Sequence, residues 1–452
     1  MQEIIFYVKD AIEGKNSVLF QSSEGYIFYE KLSNTIHVND IKSLDKLRCN
    51  VEAIKYHPRF ESESLKKGCG KKLESLLLNV TESCNLSCSY CIYSGNYENE
   101  HVENKRKMDF KIGKKAIDQF MPLSKERVLI GFYGGEPLTN MDLIKNIIKY
   151  TKRKYPKKTS VFSMTSNFCN ADKYMKEIVE NEIYINISLD GPKHIHDKNR
   201  RFKNGKPTYN KIIENLKKIE TIYPGYGKKH FSQSVTCEDP NDLPEIVQFF
   251  QKNKQFNISR INKVESKGLI NRIIKDNKSS NTFKFVSNYL SSILSEKDPE
   301  ILRLFFDQNL KNIVIKSKKL MPKKLMLNGC CYPGNRKLFV NTDGKFYICE
   351  RFGERVSIGD VNKGIEKESI NNAIDKFTEI KNSYCKDCWA QRLCHNCIQS
   401  SKDSKGEISE RGLAETCNSN KSQILIALTN YVSLISKNKK IFENYVDSIQ
   451  FK

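Results

Sequence analysis

Three cysteines within fifteen residues carry the first chemical signal. Thr81–Gly95 reads T-E-S-C-N-L-S-C-S-Y-C-I-Y-S-G, which sets Cys84, Cys88 and Cys91 in a C-x3-C-x2-C spacing with Tyr90 just before the last. A structural zinc takes four protein ligands, and its cysteines usually come as C-x2-4-C pairs. Three close thiolates also suit a [4Fe–4S] cluster that leaves one iron open to a small molecule. On these residues alone both metals stay open. Eight more cysteines, at 330, 331, 349, 385, 388, 394, 397 and 417, are enough for two four-ligand sites. Within them, Cys385-x2-Cys388-x5-Cys394-x2-Cys397 also fits a zinc ribbon. Two short stretches can hold a ligand, Gly134-Gly135-Glu136-Pro137 and Asp190-Gly191-Pro192. Glycine lets backbone approach a ligand closely, and a carboxylate beside it can bind an ammonium group, although each stretch alone also reads as a tight turn.

The surrounding chain must position these groups. Apolar strand candidates fall at Leu76–Val80, Val128–Tyr133, Ser160–Thr165, Tyr184–Leu189, Phe231–Thr236 and Ile258–Val264. Between them lie helix candidates at Asp109–Met121, Met141–Tyr155, Ala171–Asn181, Tyr209–Ile222 and Asn241–Lys254. In the second of these, Leu143, Ile144, Ile147, Ile148 and Thr151 share one face. Strands alternating with helices predict an α/β fold with a parallel sheet and right-handed crossovers, open or partly closed as a barrel. Active sites in such folds sit on the loops after the strands' C-terminal ends. The cysteine loop directly follows the first strand, and the two glycine turns follow the second and fourth.

Residues 1–72 read as a small strand-rich module, with strands at Ile4–Val8, Ser17–Gln21, Tyr26–Glu30 and Thr35–Val38 and a brief helix at Asp40–Arg48. Such a module either recognises a peptide by strand addition or is a packing extension. Residues 73–268 form the barrel. A helical connector at 269–325 includes Asn281–Leu294 and Pro299–Leu310, a cysteine-rich domain occupies 326–420, and a helical tail runs over 421–452.

The 76 Lys and Arg against 53 Asp and Glu leave a net charge of +23. This charge permits a nucleic acid, acidic lipid or acidic peptide partner, but the basic residues are scattered and a solvated surface accounts for them. No signal peptide is evident, and Ile424–Ile435 is too short and too polar to span a bilayer. Fifteen cysteines without an export signal point to a reducing, cytoplasmic setting and to metal ligation, with no membrane partner.

Cys84-x3-Cys88-x-Tyr90-Cys91, Gly134-Gly135-Glu136-Pro137 and Ser188-Leu189-Asp190-Gly191-Pro192, in this order over roughly Leu76 to Val264, resemble the radical S-adenosylmethionine (SAM) enzymes. The resemblance implies a partial (β/α)6 barrel with a [4Fe–4S] cluster on Cys84, Cys88 and Cys91, whose open iron takes the amino and carboxylate groups of SAM. It implies that Gly134, Gly135 and Glu136 hold the amino group, Tyr90 lies near the adenine, and Ser188 and Arg200 meet the ribose and carboxylate, with Arg201 a neighbouring alternative to Arg200 and Asp190 a further cofactor-binding residue. Thr165-Ser166-Asn167 departs from the Thr-Asn-Gly of many relatives, which leaves the role of Asn167 open. Cys331, then Gly344-x4-Cys349, the four-cysteine run and Cys417 resemble the SPASM extension with two auxiliary iron–sulfur clusters. On that pattern Cys385, Cys388, Cys394 and Cys417 hold the outer cluster, and Cys331, Cys349 and Cys397 the inner one, with Cys330 a further ligand. Two residues separate Cys394 from Cys397 here, where the family has three. Cys169 and Cys237 fall outside every pattern.

The resemblance implies peptide modification started by a 5′-deoxyadenosyl radical. The favoured expectation is a maturase that forms thioether cross-links, of the sactipeptide or ranthipeptide type, in a ribosomally made, cysteine-rich precursor peptide with a leader. Flavodoxin or ferredoxin would supply electrons, and Glu350 is the acid/base candidate. The alternative is an anaerobic sulfatase-maturing type that oxidises Cys or Ser to formylglycine; those relatives carry Asp at the position of Glu350. A zinc-ribbon or RNA-modifying protein rests on the charge alone.

Overall fold

The run Ser17–Ser22 is buried almost throughout, which a half-exposed strand would not be. A computed structural model shows why. It describes residues 8–437 apart from 23, 96–102, 240–241, 264–309, 316–318, 328–332 and 353, together with residues 440 and 443. Strands β1 (Val8–Glu13), β2 (Ser17–Ser22), β3 (Gly25–Glu30) and β4 (Thr35–Asn39) form an antiparallel sheet in that order. One face, Leu19 and Phe28, packs on Leu44 and Val51 of the helix Ile41–Glu52. The other, Val18, Phe20, Ile27 and Tyr29, packs on Trp389, Leu393, Ile424 and Leu428 from the C-terminal region. Both faces are therefore spoken for. The expected strand Ile4–Val8 lies outside the described residues except for Val8, where β1 begins.

After β5 (Arg59–Glu61) come the six barrel strands, β6 (Leu73–Thr81), β7 (Ser124–Gly134), β8 (Thr159–Ser166), β9 (Tyr184–Ser188), β10 (Phe231–Cys237) and β11 (Ile258–Lys263). They are parallel neighbours in sequence order. Each overlaps its expected strand. Leu76, Leu78 and Val80 alternate along β6 and are fully buried, leaving Ser75, Leu77, Asn79 and Thr81 for the barrel's inner face. Helices Phe110–Phe120 and Met141–Lys154 cover the outside, the second with the expected apolar face buried. The expected helix Ala171–Asn181 is broken into a 3-10 turn, Ala171–Lys173, and a short helix, Met175–Glu180, with Tyr174 outside the helical region at φ −134°.

The free edge of β6 is not left open. After β12 (Lys324–Met326), which pairs with β5, strand β13 (Lys337–Val340) joins β6 in parallel. β14 (Lys345–Tyr347), β15 (Ser357–Asp360) and β16 (Gly364–Ile365) follow as antiparallel neighbours, giving a mixed ten-stranded sheet. The cysteine-rich region is thus hydrogen-bonded to the barrel. Two long helices, Lys367–Tyr384 and Glu410–Lys437, complete it, and the second places Cys417 on a helix. The expected helices Asn281–Leu294 and, but for its last residue, Pro299–Leu310, as well as Cys330 and Cys331, lie outside the described residues. Among the described residues no helix is long and apolar enough to cross a membrane.

Candidate active site

The cysteine loop is shaped by the glycine turn behind it. A β-carbon on Gly135 would stand 2.4 Å from the Ser83 carbonyl oxygen, and Gly134 has a φ of +132° with the Thr81 carbonyl oxygen where its β-carbon would be. Only glycine fits such a close backbone approach. The Gly135 N–H donates to the Thr81 carbonyl at 2.8 Å and the Glu136 N–H to the Ser83 carbonyl at 3.0 Å, locking turn to loop. From the other side, the Ser87 and Ser89 N–H groups donate to the carbonyls of Arg201 and Asn199, strapping the loop to the end of the helix Lys193–Asn199.

Several backbone and side-chain amides face the sulfurs. The Leu86 N–H points at Cys84 Sγ and the Tyr93 N–H at Cys91 Sγ, each at 3.4 Å. Asn167 Nδ2 donates to Asn85 Oδ1 at 2.7 Å and lies 3.8 Å from Cys84 Sγ. Burial pushes the Cys88 thiol up to about 11, with the Arg200 guanidinium pulling back, and it raises Cys84 and Cys91 as well. These thiols are protonated at neutral pH until a metal displaces the protons.

Arg200, rather than Arg201, faces this site. Its Nε donates to Asp190 Oδ2 at 2.8 Å and its guanidinium lies 5.2 Å from the Tyr90 ring centre. The Tyr90 hydroxyl donates to the same carboxylate oxygen, while Asp190 Oδ1 accepts the Thr236 N–H. Arg201 turns outward to the Gly205 carbonyl. Ser188 ends β9 beside them and is buried. Glu136 is buried too, but it faces inward. Its Oε1 accepts from Ser166 Oγ and the Leu138 N–H, and its Oε2 accepts from the Asn167 N–H at 2.7 Å. Both oxygens are engaged within the protein, and so is its backbone, whose carbonyl accepts from the Thr139 N–H and hydroxyl. Burial lifts the Glu136 carboxyl to about 7 against these three donors.

A cavity of about 550 Å³ occupies the barrel interior, lined by Tyr133, Ser163, Thr165 and Asn186 together with Lys337 and Glu350. Glu350 thus reaches the lumen, where its Oε2 is 2.5 Å from Lys337 Nζ on β13. Among the described residues no cysteine lines this cavity.

The outer set of cysteines converges. Cys385, Cys388, Cys394 and Cys417 line one cavity of about 180 Å³ together with Lys381, Asn396, Asn420 and Lys421. Asn420 Nδ2 donates to Cys394 Sγ at 3.3 Å and Asn396 Nδ2 to Cys417 Sγ at 3.9 Å. Cys397 is not among the lining residues; it interacts electrostatically with Cys349, whose thiol burial and the Glu350 carboxylate push up to about 12. Cys169 and Cys237 are buried, and Cys169 interacts electrostatically with Glu136 and Cys88. Cys237 Sγ donates to the Asp239 carbonyl.

Among the described residues no three Cys, His, Asp or Glu side chains close around a single-ion position. A four-iron cube is wider than an ion and spreads its thiolates to match. The loop fits such a group and a polar ligand in another respect. Both amide atoms of Asn79 and the Nδ2 of Asn85 are buried without a hydrogen-bond partner beside the glycine turn and the cysteine loop, and buried polar groups otherwise find partners. Asn79, Asn85, Lys337 and Lys381 were not foreseen from sequence. Lys381 had a signal, since it continues the buried stripe Ile370, Ile374 and Phe377 at helical spacing.

A parallel barrel that presents three cysteines after its first strand and a glycine turn after its second defines the class. Residues 78–250 match the model of the radical SAM superfamily. Those residues are a radical SAM domain, the chain is an enzyme, and the cofactors of that superfamily are SAM and a [4Fe–4S] cluster. It is 25% identical over 364 residues to a cysteine-type anaerobic sulfatase-maturating enzyme of Clostridium novyi, covering 74% of this chain and 89% of that one. It is 24% identical over 204 residues to the radical SAM cyclopropyl synthase TigE of Paramaledivibacter caminithermalis, covering 42% and 41%. The fold superposes on native anSMEcpe with bound AdoMet and Kp18Cys peptide with a TM-score of 0.59 at 20% identity, covering 84% of this chain and 99% of that one.

Proposed function

We propose that this enzyme modifies a peptide or protein side chain, and that oxidation of a Cys or Ser to formylglycine is the reaction its relatives favour. The observation that carries this is the similarity to a cysteine-type sulfatase-maturating enzyme along most of that protein's length. It moves the favoured reading away from the thioether cross-link expected from sequence. When bound, SAM and its reduced cluster supply a radical that removes one hydrogen atom from the substrate. Cys84, Cys88 and Cys91 would hold that cluster. Gly134, Gly135, Asn167, Ser188, Tyr90 and the Asp190–Arg200 pair would shape the SAM pocket, with Glu136 tying two of its loops together.

Cys385, Cys388, Cys394 and Cys417 would hold the outer auxiliary cluster; Cys349 and Cys397, with Cys330 or Cys331, the inner one. Glu350, held by Lys337 in the lumen, would take the proton that the oxidised substrate must lose. Thioether formation stays as the second reading, because Glu350 stands where the sulfatase-maturing relatives have Asp. A leader peptide would add to the β4 edge, since both faces of that sheet are covered. The reductant would be a flavodoxin or ferredoxin.

The test is anaerobic turnover with dithionite, SAM and cysteine-containing peptides, read by mass spectrometry. An aldehyde replacing the thiol, with sulfide released, supports formylglycine formation. Loss of two hydrogens per cross-link with the sulfur retained turns the assignment to a thioether. Neither change, with 5′-deoxyadenosine formed, overturns a peptide substrate of this type.

A further inference from the structure

Lys381 sits in the last turn of the helix Lys367–Tyr384 and is fully buried. Its Nζ has no hydrogen-bond partner among the described residues and lies 4.9 Å from the Phe60 ring centre. An unpaired ammonium in a protein interior is costly unless an opposite charge compensates it. The one carboxylate lining the same cavity among the described residues, Asp387, is half-exposed and turned to His57 at 3.7 Å. What the ammonium does face is the four-cysteine cavity it lines.

We propose that Lys381 is the built-in countercharge of the outer auxiliary cluster and raises its reduction potential, making that cluster the better electron acceptor. This inference rests on the assignment of a cluster to Cys385, Cys388, Cys394 and Cys417. When such a cluster gains one electron, the reduced form carries one negative charge more than the oxidised form. A fixed cation in a low-dielectric site therefore stabilises the reduced form more. The Asn420 and Asn396 amides directed at Cys394 and Cys417 act in the same direction. Lys381 is a positioning charge, not a catalytic residue.

The test uses the reconstituted full-length enzyme and potentiometry followed by electron paramagnetic resonance. K381M should lower the midpoint of one auxiliary couple by at least a tenfold change in the oxidised-to-reduced ratio, about 59 mV for one electron. K381R should restore it, and the SAM cluster's midpoint should not move. An unchanged or higher auxiliary midpoint in K381M overturns the proposal. A C385S/C388S variant that keeps its full iron content overturns the cluster assignment instead. Should K381M take up no cluster, the metal-free proteins decide. K381M melting above wild type supports an uncompensated ammonium in the stripped protein, and K381M melting equal or lower overturns it.

Discussion

Arg200 and Asp190 form an ion pair at 2.8 Å in which neither side chain is more than a tenth exposed. The pair also fixes Tyr90, because the same Asp190 oxygen accepts the tyrosine hydroxyl. Removing one partner leaves the other charge buried. D190N should therefore lower the unfolding free energy by about 3–5 kcal/mol and weaken SAM binding. Denaturant titration and SAM calorimetry check both. A loss below about 1 kcal/mol would mean that the guanidinium finds another partner.

Gly135 is where the cysteine loop and glycine turn meet. G135A should displace Ser83 and Cys84, at a cost of about 1–3 kcal/mol, and reduce iron bound at the loop. Gly68, whose β-carbon would meet only Asn335 Oδ1 at 3.8 Å, supplies the control. Iron content and cluster absorbance of G135A and G68A, compared side by side, test this.

C84A, C88A and C91A should each abolish 5′-deoxyadenosine production from SAM and dithionite, whereas C237A should retain it. Chromatography of the quenched reaction reads the result. Turnover surviving in any of the first three variants would remove the loop from the chemistry.

Glu136 should make the metal-free protein's stability depend on pH. Its folded pKa, about 7, is above the ordinary value of 4.5 because burial penalises the charged form. The folded state therefore holds the proton more tightly than the unfolded chain. That advantage is complete below pH 4.5 and is lost as pH rises through 7, a swing of about 3 kcal/mol. Denaturation of wild type and E136Q across this range should show wild type losing ground as pH rises. A pH-independent difference would mean that the carboxyl ionises freely.

E350Q should slow substrate conversion by about 10²–10⁴-fold, the usual contribution of a general acid or base. It should leave SAM cleavage running, so the ratio of 5′-deoxyadenosine to product rises. Equal losses of both would make Glu350 a partner of Lys337 and nothing more.

The sequence by itself determined the barrel and its reactive loop. Strand and helix periodicity is local, so β6 to β11 were legible within a few residues. A loop that directly follows a parallel strand must lie at its C-terminal end, which placed Cys84, Cys88 and Cys91. Tertiary structure decided what depends on residues far apart in the chain. The strands β13 to β16 are two to four residues long, too short for periodicity to register, yet they extend the barrel sheet and carry Lys337 to Glu350. The strands β2 and β3 were readable, but the second face of their sheet is covered by Trp389 and Leu428, which no local pattern announces. Adjacent residues Arg200 and Arg201 have the same side chain, and only the fold turns one to Asp190 and the other to solvent. The motif around Glu136 is legible in the sequence, but the partners of its carboxylate are not: Ser166 and the Asn167 N–H, from the neighbouring strand end, form a set of donors that only the folded barrel brings together.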